Sequence, residues 1–278
     1  MSIDSVLGAP ALSATVAPLL GEDEPEPVGF VDRDGPSPFV VICDHAGNAV
    51  PASLADLGLP PEELARHIAI DVGALAVAKR VAERLGAPLI FQRYSRLVID
   101  CNRIPSARDS IAEVADGTTV PGNRELDAAG RLARQVALHD PYHRHIAALL
   151  DGRAAAGRRT YLVSMHSFAP VLRLRPNDRP WDVGLCWNRD TRLSRLLVEE
   201  LVAEAGLRVG ENQPYSVDMA NDYSIPIHGE GRGLPYVEFE VRQDHLATSQ
   251  GAELWAERLS RVLLRAAGRL DDTAEPTA

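Results

Sequence analysis

Short apolar runs rich in β-branched residues alternate along this chain with longer stretches whose apolar residues recur at helical spacing. Residues 39–43 (Phe-Val-Val-Ile-Cys) read as a buried strand, and residues 88–91, 97–100, 160–163, 183–187 and 235–241 repeat the signature, with a short strand edge at 208–209. Pro60-Pro61-Glu62-Glu63 opens a helical region, because proline and acids suit a helix N-terminus. That helix is predicted to continue through Ala74, Val77 and Val81 to a stop at Gly86. Further helices are predicted over 124–156, interrupted near Pro141, over 191–205, and over 250–270, where Leu254, Trp255, Leu259, Val262 and Leu263 would face the core. Strands alternating with helices predict a three-layer α/β fold, and no internal repeat is present. The polar segments 104–123 and 210–234 are long for connections in a compact domain and are read as active-site loops.

Residues 1–37 break the pattern. They are rich in proline, glycine and acids, as in Gly21-Glu22-Asp23-Glu24-Pro25-Glu26-Pro27, with too little apolar surface to offset the entropy of ordering. They are read as a flexible leader before a single domain over 38–278, and 278 residues are enough for one large core. The formal net charge of -10 argues against a nucleic-acid or anionic-membrane surface, so any basic groups that gather anions must be local. Cys43, Cys101 and Cys186 are few, odd in number and set in predicted strands, which suits a reducing compartment. With no basic n-region and no apolar run near the ~20 residues that span a bilayer, a cytoplasmic location is predicted.

Chemistry-bearing residues gather in four segments: Cys43-Asp44-His45-Ala46-Gly47-Asn48, Asp100-Cys101-Asn102-Arg103, Ser164-Met165-His166-Ser167 and Glu238-Phe239-Glu240-Val241-Arg242. Each follows or ends an apolar run, and the carboxyl ends of strands are where open α/β sheets place their sites. A single histidine there would most simply bond its own loop. Two, His45 and His166, on separate strand ends supply what a shared zinc site needs, since Zn²⁺ takes nitrogen and oxygen ligands. Asp71 is a third ligand or else an acid at a helix start, with Asp44 and His228 as substitutes.

Strand alternation puts Glu238, Glu240 and Arg242 on one face, where they form either a functional set or a buried ion-pair network. Glu240 lies nearer the carboxyl end and is preferred as general base, with Glu238 as its supporting partner. Asn102 and Arg103 offer an amide and a planar, fork-shaped cation suited to a carboxylate. The alternative is that Asp100 with Arg96 or Arg103 ties the loop together. Cys43 and Cys101 alternate with these polar positions and are predicted to point away.

These segments, together with Ile70-Asp-Val-Gly-Ala74, Tyr94-Ser-Arg-Leu-Val-Ile-Asp-Cys-Asn-Arg103, Trp187-Asn-Arg189 and Ile227-His-Gly-Glu230, resemble the N-formylglutamate amidohydrolase family, in particular its predicted-amidohydrolase branch. The resemblance runs over nearly the whole chain after the leader. It implies a zinc-carboxypeptidase-like (phosphorylase/hydrolase-like) three-layer αβα fold with a central mixed sheet, and metal-dependent hydrolysis of N-formyl-L-glutamate to L-glutamate and formate. The related carboxypeptidase pattern has His-x-x-Glu at its first metal site, and here Asn48 stands where that Glu would fall.

The expected protein is a zinc-type amidohydrolase for a small anionic N-acyl amino acid, with Mn²⁺, Co²⁺ or Fe²⁺ as other ions suited to the donors. His45, Asp71 and His166 are expected to hold the metal, Glu240 to move the proton, and Asn102 and Arg103 to hold a substrate carboxylate. Arg242 and His228 are lesser candidates for substrate contact. Hydrolysis of another N-acyl amino acid or small peptide amide, or metal-free binding of an acidic metabolite, are the alternatives.

Overall fold

The computed structural model describes residues 18–174 and 179–273. Its strands are β1 (Val28–Val31), β2 (Phe39–Cys43), β3 (Leu89–Gln92), β4 (Val114–Ala115), β5 (Thr118–Thr119), β6 (Tyr161–Phe168), β7 (Val183–Cys186), β8 (Val209–Glu211) and β9 (Tyr236–Arg242). Its α-helices are α1 (Pro61–Leu64), α2 (Ala74–Leu85), α3 (Ala128–Arg134), α4 (Asp140–Ala155), α5 (Arg192–Val202) and α6 (Ser249–Thr273). Seven strands form one mixed sheet in the order β1-β3-β2-β6-β9-β7-β8, while β4 and β5 pair separately. Strands β3, β2, β6 and β9 run parallel, and β1 and β7 lie antiparallel to β3 and β9.

The strand period of two sorts the side chains between the two faces. Val41, Cys43, Val163, Met165, Val237 and Phe239 face α2, α5 and α6, whereas Val40, Ile42, Leu162 and Tyr236 face α4 through Tyr142, Ile146 and Leu150. Each such side chain contributes roughly 1.5–3 kcal/mol on full burial. A slip of one residue would turn Ser164, His166, Glu238 and Glu240 into the α2 layer, so the apolar set fixes the register that aims them at a shared site. From β2 the chain crosses to β3 on one side while β6 lies on the other, which opens a crevice at the carboxyl ends of β2 and β6.

Several elements depart from the sequence pattern. Residues 18–37 join the domain: Val28 is buried, β1 is the sheet's edge strand, Arg93 donates to Val28 O at 2.7 Å, and Tyr94 Oη donates to Pro25 O at 2.9 Å. Residues 1–17 of the expected leader, and 274–278, lie outside the described residues. The helix expected from Pro60 is broken: α1 ends at Leu64, and turns lead to Gly73, whose φ of 82° starts α2. A Cβ at Gly73 would come within 2.4 Å of Leu246 Cβ, so the break is packed in place.

Residues 97–100 are not a strand. Ser95 turns the chain by accepting from Leu97 N through Oγ at 3.1 Å and from Val98 N through its carbonyl at 2.9 Å. Both edges of β3 are already paired, and Leu97, Val98 and Ile99 bury instead in a separate cluster with Leu57, Ile111, Val120 and Leu138. The interruption expected near Pro141 is a π turn at Gln135–His139, which joins α3 to α4 just before the proline that cannot donate to the helical ladder. Leu254, expected to face the core from α6, is 57% exposed, because α6 turns Ala252, Trp255 and Ala256 inward instead. Among the described residues no helix is long and apolar enough to cross a membrane.

Candidate active site

The turn after β2 carries His45, and Gly47 allows that turn to lie against the chain leaving β3. A Cβ at Gly47 would stand 1.9 Å from Arg93 O, and Ser95 N donates to Ala49 O at 2.8 Å beside it. The turns after α1 then return Asp71 to the same place, where its backbone N–H donates to His45 O at 3.0 Å. His166 arrives from β6, with Glu240 as its partner on β9 and Glu238 two residues earlier on the same face.

These residues converge on one oxygen. Asp71 Oδ2 lies 2.9 Å from His166 Nδ1 and 3.3 Å from His45 Nδ1, and the imidazole centroids are 4.9 Å apart. The far nitrogens face other carboxylates: His45 Nε2 is 2.6 Å from Asp100 Oδ1, and His166 Nε2 is 3.2 Å from Asp44 Oδ2 and 3.0 Å from Ser164 Oγ. Both nitrogens of each ring thus face a carboxylate oxygen, and Nδ1 is the atom of each that points at the shared centre on Asp71. Ligand atoms of His45, Asp71 and His166 all lie within 4.8 Å of one another, and all three residues are buried.

The electrostatics follow from that crowding. Burial lowers the pKa of both histidines, but the facing carboxylates outweigh it; Asp71 and Asp100 raise His45, and Asp44, Asp71 and Glu238 raise His166 well above its ordinary value. Asp44 and Asp71 are held below the usual carboxylate range despite burial, chiefly by the two imidazoles. Two imidazoles sharing one carboxylate oxygen, each backed by a second carboxylate, form a donor set that fits a divalent transition metal and its supporting shell. Glu238 and Glu240 differ: burial pushes them up to about 7 and about 8, and Oε2 of each is buried with no hydrogen-bond partner.

A cavity of about 690 Å³ opens over this cluster, lined among others by His45, Asp71, His166, Asn102, Arg103 and Glu240. Arg103 points its guanidinium at Asp222 and, at 3.1 Å, at Asp109, and donates to Asn102 O at 2.9 Å. Asn102 Oδ1 accepts from Ser224 N at 3.0 Å, so the amide also ties two loops together. Asn48, in the place of the carboxypeptidase-type Glu, donates to Leu64 O at 2.9 Å and fastens α1 to the turn.

A family model for N-formylglutamate amidohydrolase matches residues 37–247. The chain belongs to the N-formylglutamate amidohydrolase family. A crystal structure of a gene product from Agrobacterium tumefaciens is similar to this family member at 32% identity, covering 91% of this chain and 99% of that one with a TM-score of 0.87. An N-formylglutamate amidohydrolase from Ralstonia eutropha, 20% identical over 89% of this chain and 99% of its own, shares the fold with a TM-score of 0.60. No curated protein matches the sequence.

Within this N-formylglutamate amidohydrolase family member, His45, Asp71, His166, Asn102, Arg103 and Glu240 come together at the cavity, and two expected contacts do not. Arg242 leaves the end of β9 toward Asp182 and Asp244, at 3.2 and 2.8 Å. His228 is buried against His143, 3.0 Å from Nε2 to the facing Nδ1, because Ile225–Gly229 turns it away from the cavity wall. Asp44, a substitute ligand in the sequence reading, reaches the outer nitrogen of His166 and accepts from Ser224 Oγ at 2.7 Å. Arg96 joins Asp100 at 2.6 Å to Asp71 at 3.3 Å, which is the Asp100–Arg96 tie that the sequence offers as an alternative, whereas no local motif points to Asp222 or Ser224. The three cysteines are free and buried, and none belongs to the converging ligand group.

Proposed function

We propose that this protein hydrolyses the amide bond of an N-acyl amino acid, with N-formyl-L-glutamate, giving L-glutamate and formate, as the foremost substrate. The observation that carries the reading is the convergence of His45 Nδ1 and His166 Nδ1 on Asp71 Oδ2 beside a cavity that also contains Glu240. Two imidazoles and a carboxylate suit zinc, and Mn²⁺, Co²⁺ or Fe²⁺ accept the same donors. Bound there, the ion supplies Lewis-acid polarisation of the amide carbonyl and a lowered pKa for a water.

The protein's own groups handle the proton and the substrate. Glu240 accepts the water proton at Oε2, which has no competing partner, and returns it to the leaving nitrogen; burial raises its proton affinity, which strengthens it as a base once ionised. Glu238, with Oε2 3.9 Å from His166 Nε2, supports the charge balance around the histidine. Arg103 and Asn102 hold a substrate carboxylate, which takes the place of Asp222 on the guanidinium. Arg96 keeps Asp71 and Asp100 aligned.

A second reading, hydrolysis of a larger N-acyl amino acid or small peptide amide, is favoured by an adjoining cavity of about 350 Å³. It shares Arg96, Arg103 and Tyr215 with the main cavity and adds Ile68, Leu97 and Leu172. Elemental analysis of protein purified without chelator, followed by turnover of N-formyl, N-acetyl and longer N-acyl glutamates, tests both readings. About one metal equivalent and release of the free amino acid are expected. Full metal occupancy in a His45→Ala, His166→Ala double variant would remove the basis of the site.

A further inference from the structure

The cations around the cavity are unequally occupied. Arg96 is spent on Asp100 and Asp71, and Arg103 on Asp222 and Asp109. Arg179 is different: among the described residues it has no carboxylate partner. Its Nη2 donates to Tyr215 Oη at 2.7 Å and its Nη1 to Ala169 O at 3.2 Å. The guanidinium carbon lies 4.8 Å from the Tyr215 ring centroid and 5.8 Å from that of Phe168. Phe168, Ala169 and Tyr215 all line the catalytic cavity, and the Tyr215 phenol is within the electrostatic reach of Glu240 and Arg96.

An arginine held by a backbone carbonyl, a phenol and two aromatic rings keeps its planar fork oriented without neutralising its charge. Such a group is organised for an anion that arrives from solution. Of the acids on the cavity wall, Asp109 and Asp222 face Arg103, Asp71 faces Arg96, and Asp218 accepts from Ala220 N and Asn221 Nδ2.

We propose that Arg179, together with the Tyr215 hydroxyl, forms a second anion subsite that receives the distal carboxylate of a dicarboxylic substrate. The subsite rests on the amidohydrolase reading only for which molecule fills it. With one carboxylate on Arg103 and the other on Arg179, the two arginines select acidic amino acids over neutral ones.

The test uses glutarate, which has two carboxylates and no amide, against butyrate, which has one. Calorimetry on the metal-loaded protein should show glutarate binding roughly 10- to 100-fold more tightly, the worth of a charge-assisted bond. Arg179→Gln should remove that gap, and Arg179→Lys should retain part of it because charge survives without the fork. In parallel, kcat/KM for N-formyl-L-glutamate over N-formyl-L-glutamine should fall by a similar factor in Arg179→Gln. A wild-type protein that does not distinguish glutarate from butyrate, or a gap that persists in Arg179→Gln, overturns the subsite while leaving the amidohydrolase reading intact. Loss of the gap in a protein that turns over neither formyl compound supports the subsite and overturns the reaction.

Discussion

Asp44→Asn isolates the part that charge, rather than shape, plays in holding His166. Asp44 is fully buried, with Oδ2 3.2 Å from His166 Nε2 and Oδ1 accepting from Ser224 Oγ at 2.7 Å. An asparagine can keep its oxygen on the histidine N–H and offer its amide to the serine oxygen, so both contacts survive and only the negative charge is lost. A charge-assisted hydrogen bond is worth ~1.5–3 kcal/mol against ~0.5–1.5 for a neutral one, a difference of about 1–1.5 kcal/mol. At ~1.4 kcal/mol per tenfold, metal affinity should fall by about tenfold, the low end of what an outer-shell partner of a metal histidine contributes. Competition against a graded series of chelators reads the affinity, and circular dichroism confirms the fold. Unchanged affinity would mean that the Asp44 charge does nothing for the centre. A loss above about a thousandfold would make Asp44 itself a ligand, since an outer-shell partner contributes ~10–100-fold.

Three further outcomes follow from the geometry. Glu240→Gln should preserve metal content and KM while lowering kcat by ~10²–10⁴-fold, and steady-state kinetics showing that only Glu238→Gln has this effect would transfer the role of base to Glu238. Arg103→Lys should lower kcat/KM for free-acid N-formylglutamate by ~10- to 100-fold and spare the amide-capped substrate, whereas equal losses on both would make Arg103 a structural partner of Asp222 and Asp109. Arg134 is 1% exposed and bonds Val98 O at 3.0 Å, Gly122 O at 2.8 Å and Asn123 Oδ1 at 2.6 Å. Arg134→Met leaves these acceptors unpaired and should cost about 3 kcal/mol or more, read as a lower urea midpoint at constant m-value; an unshifted midpoint would show that water replaces the guanidinium.

What the sequence determined is the part written in local periodicity. The β-branched runs of β2, β6 and β9 and the amphipathic spacing of α2 and α6 specify an α/β sheet, because burying one face of each strand fixes which residues point together. That same rule put His45 and His166 at separate strand ends and Glu238 and Glu240 on one face of a strand, and the pairing of β2 with β6 and of β6 with β9 made those ends neighbours. Tertiary structure decided the rest. Whether Asp71 was a helix cap or a converging carboxylate depended on the break between α1 and α2 and on the bond from its N–H to His45 O. Leu97, Val98 and Ile99 have strand composition, but the paired edges of β3 left them no ladder, and a buried arginine 36 positions from Val98 holds their turn. Arg103 meets Asp222 across 119 positions and Asp44 meets Ser224 across 180, distances over which no periodicity in the chain carries information. Strand and helix patterns record which face of an element is buried; which charge neutralises which, and which arginine is left open for an anion, is set only when the loops close over the sheet.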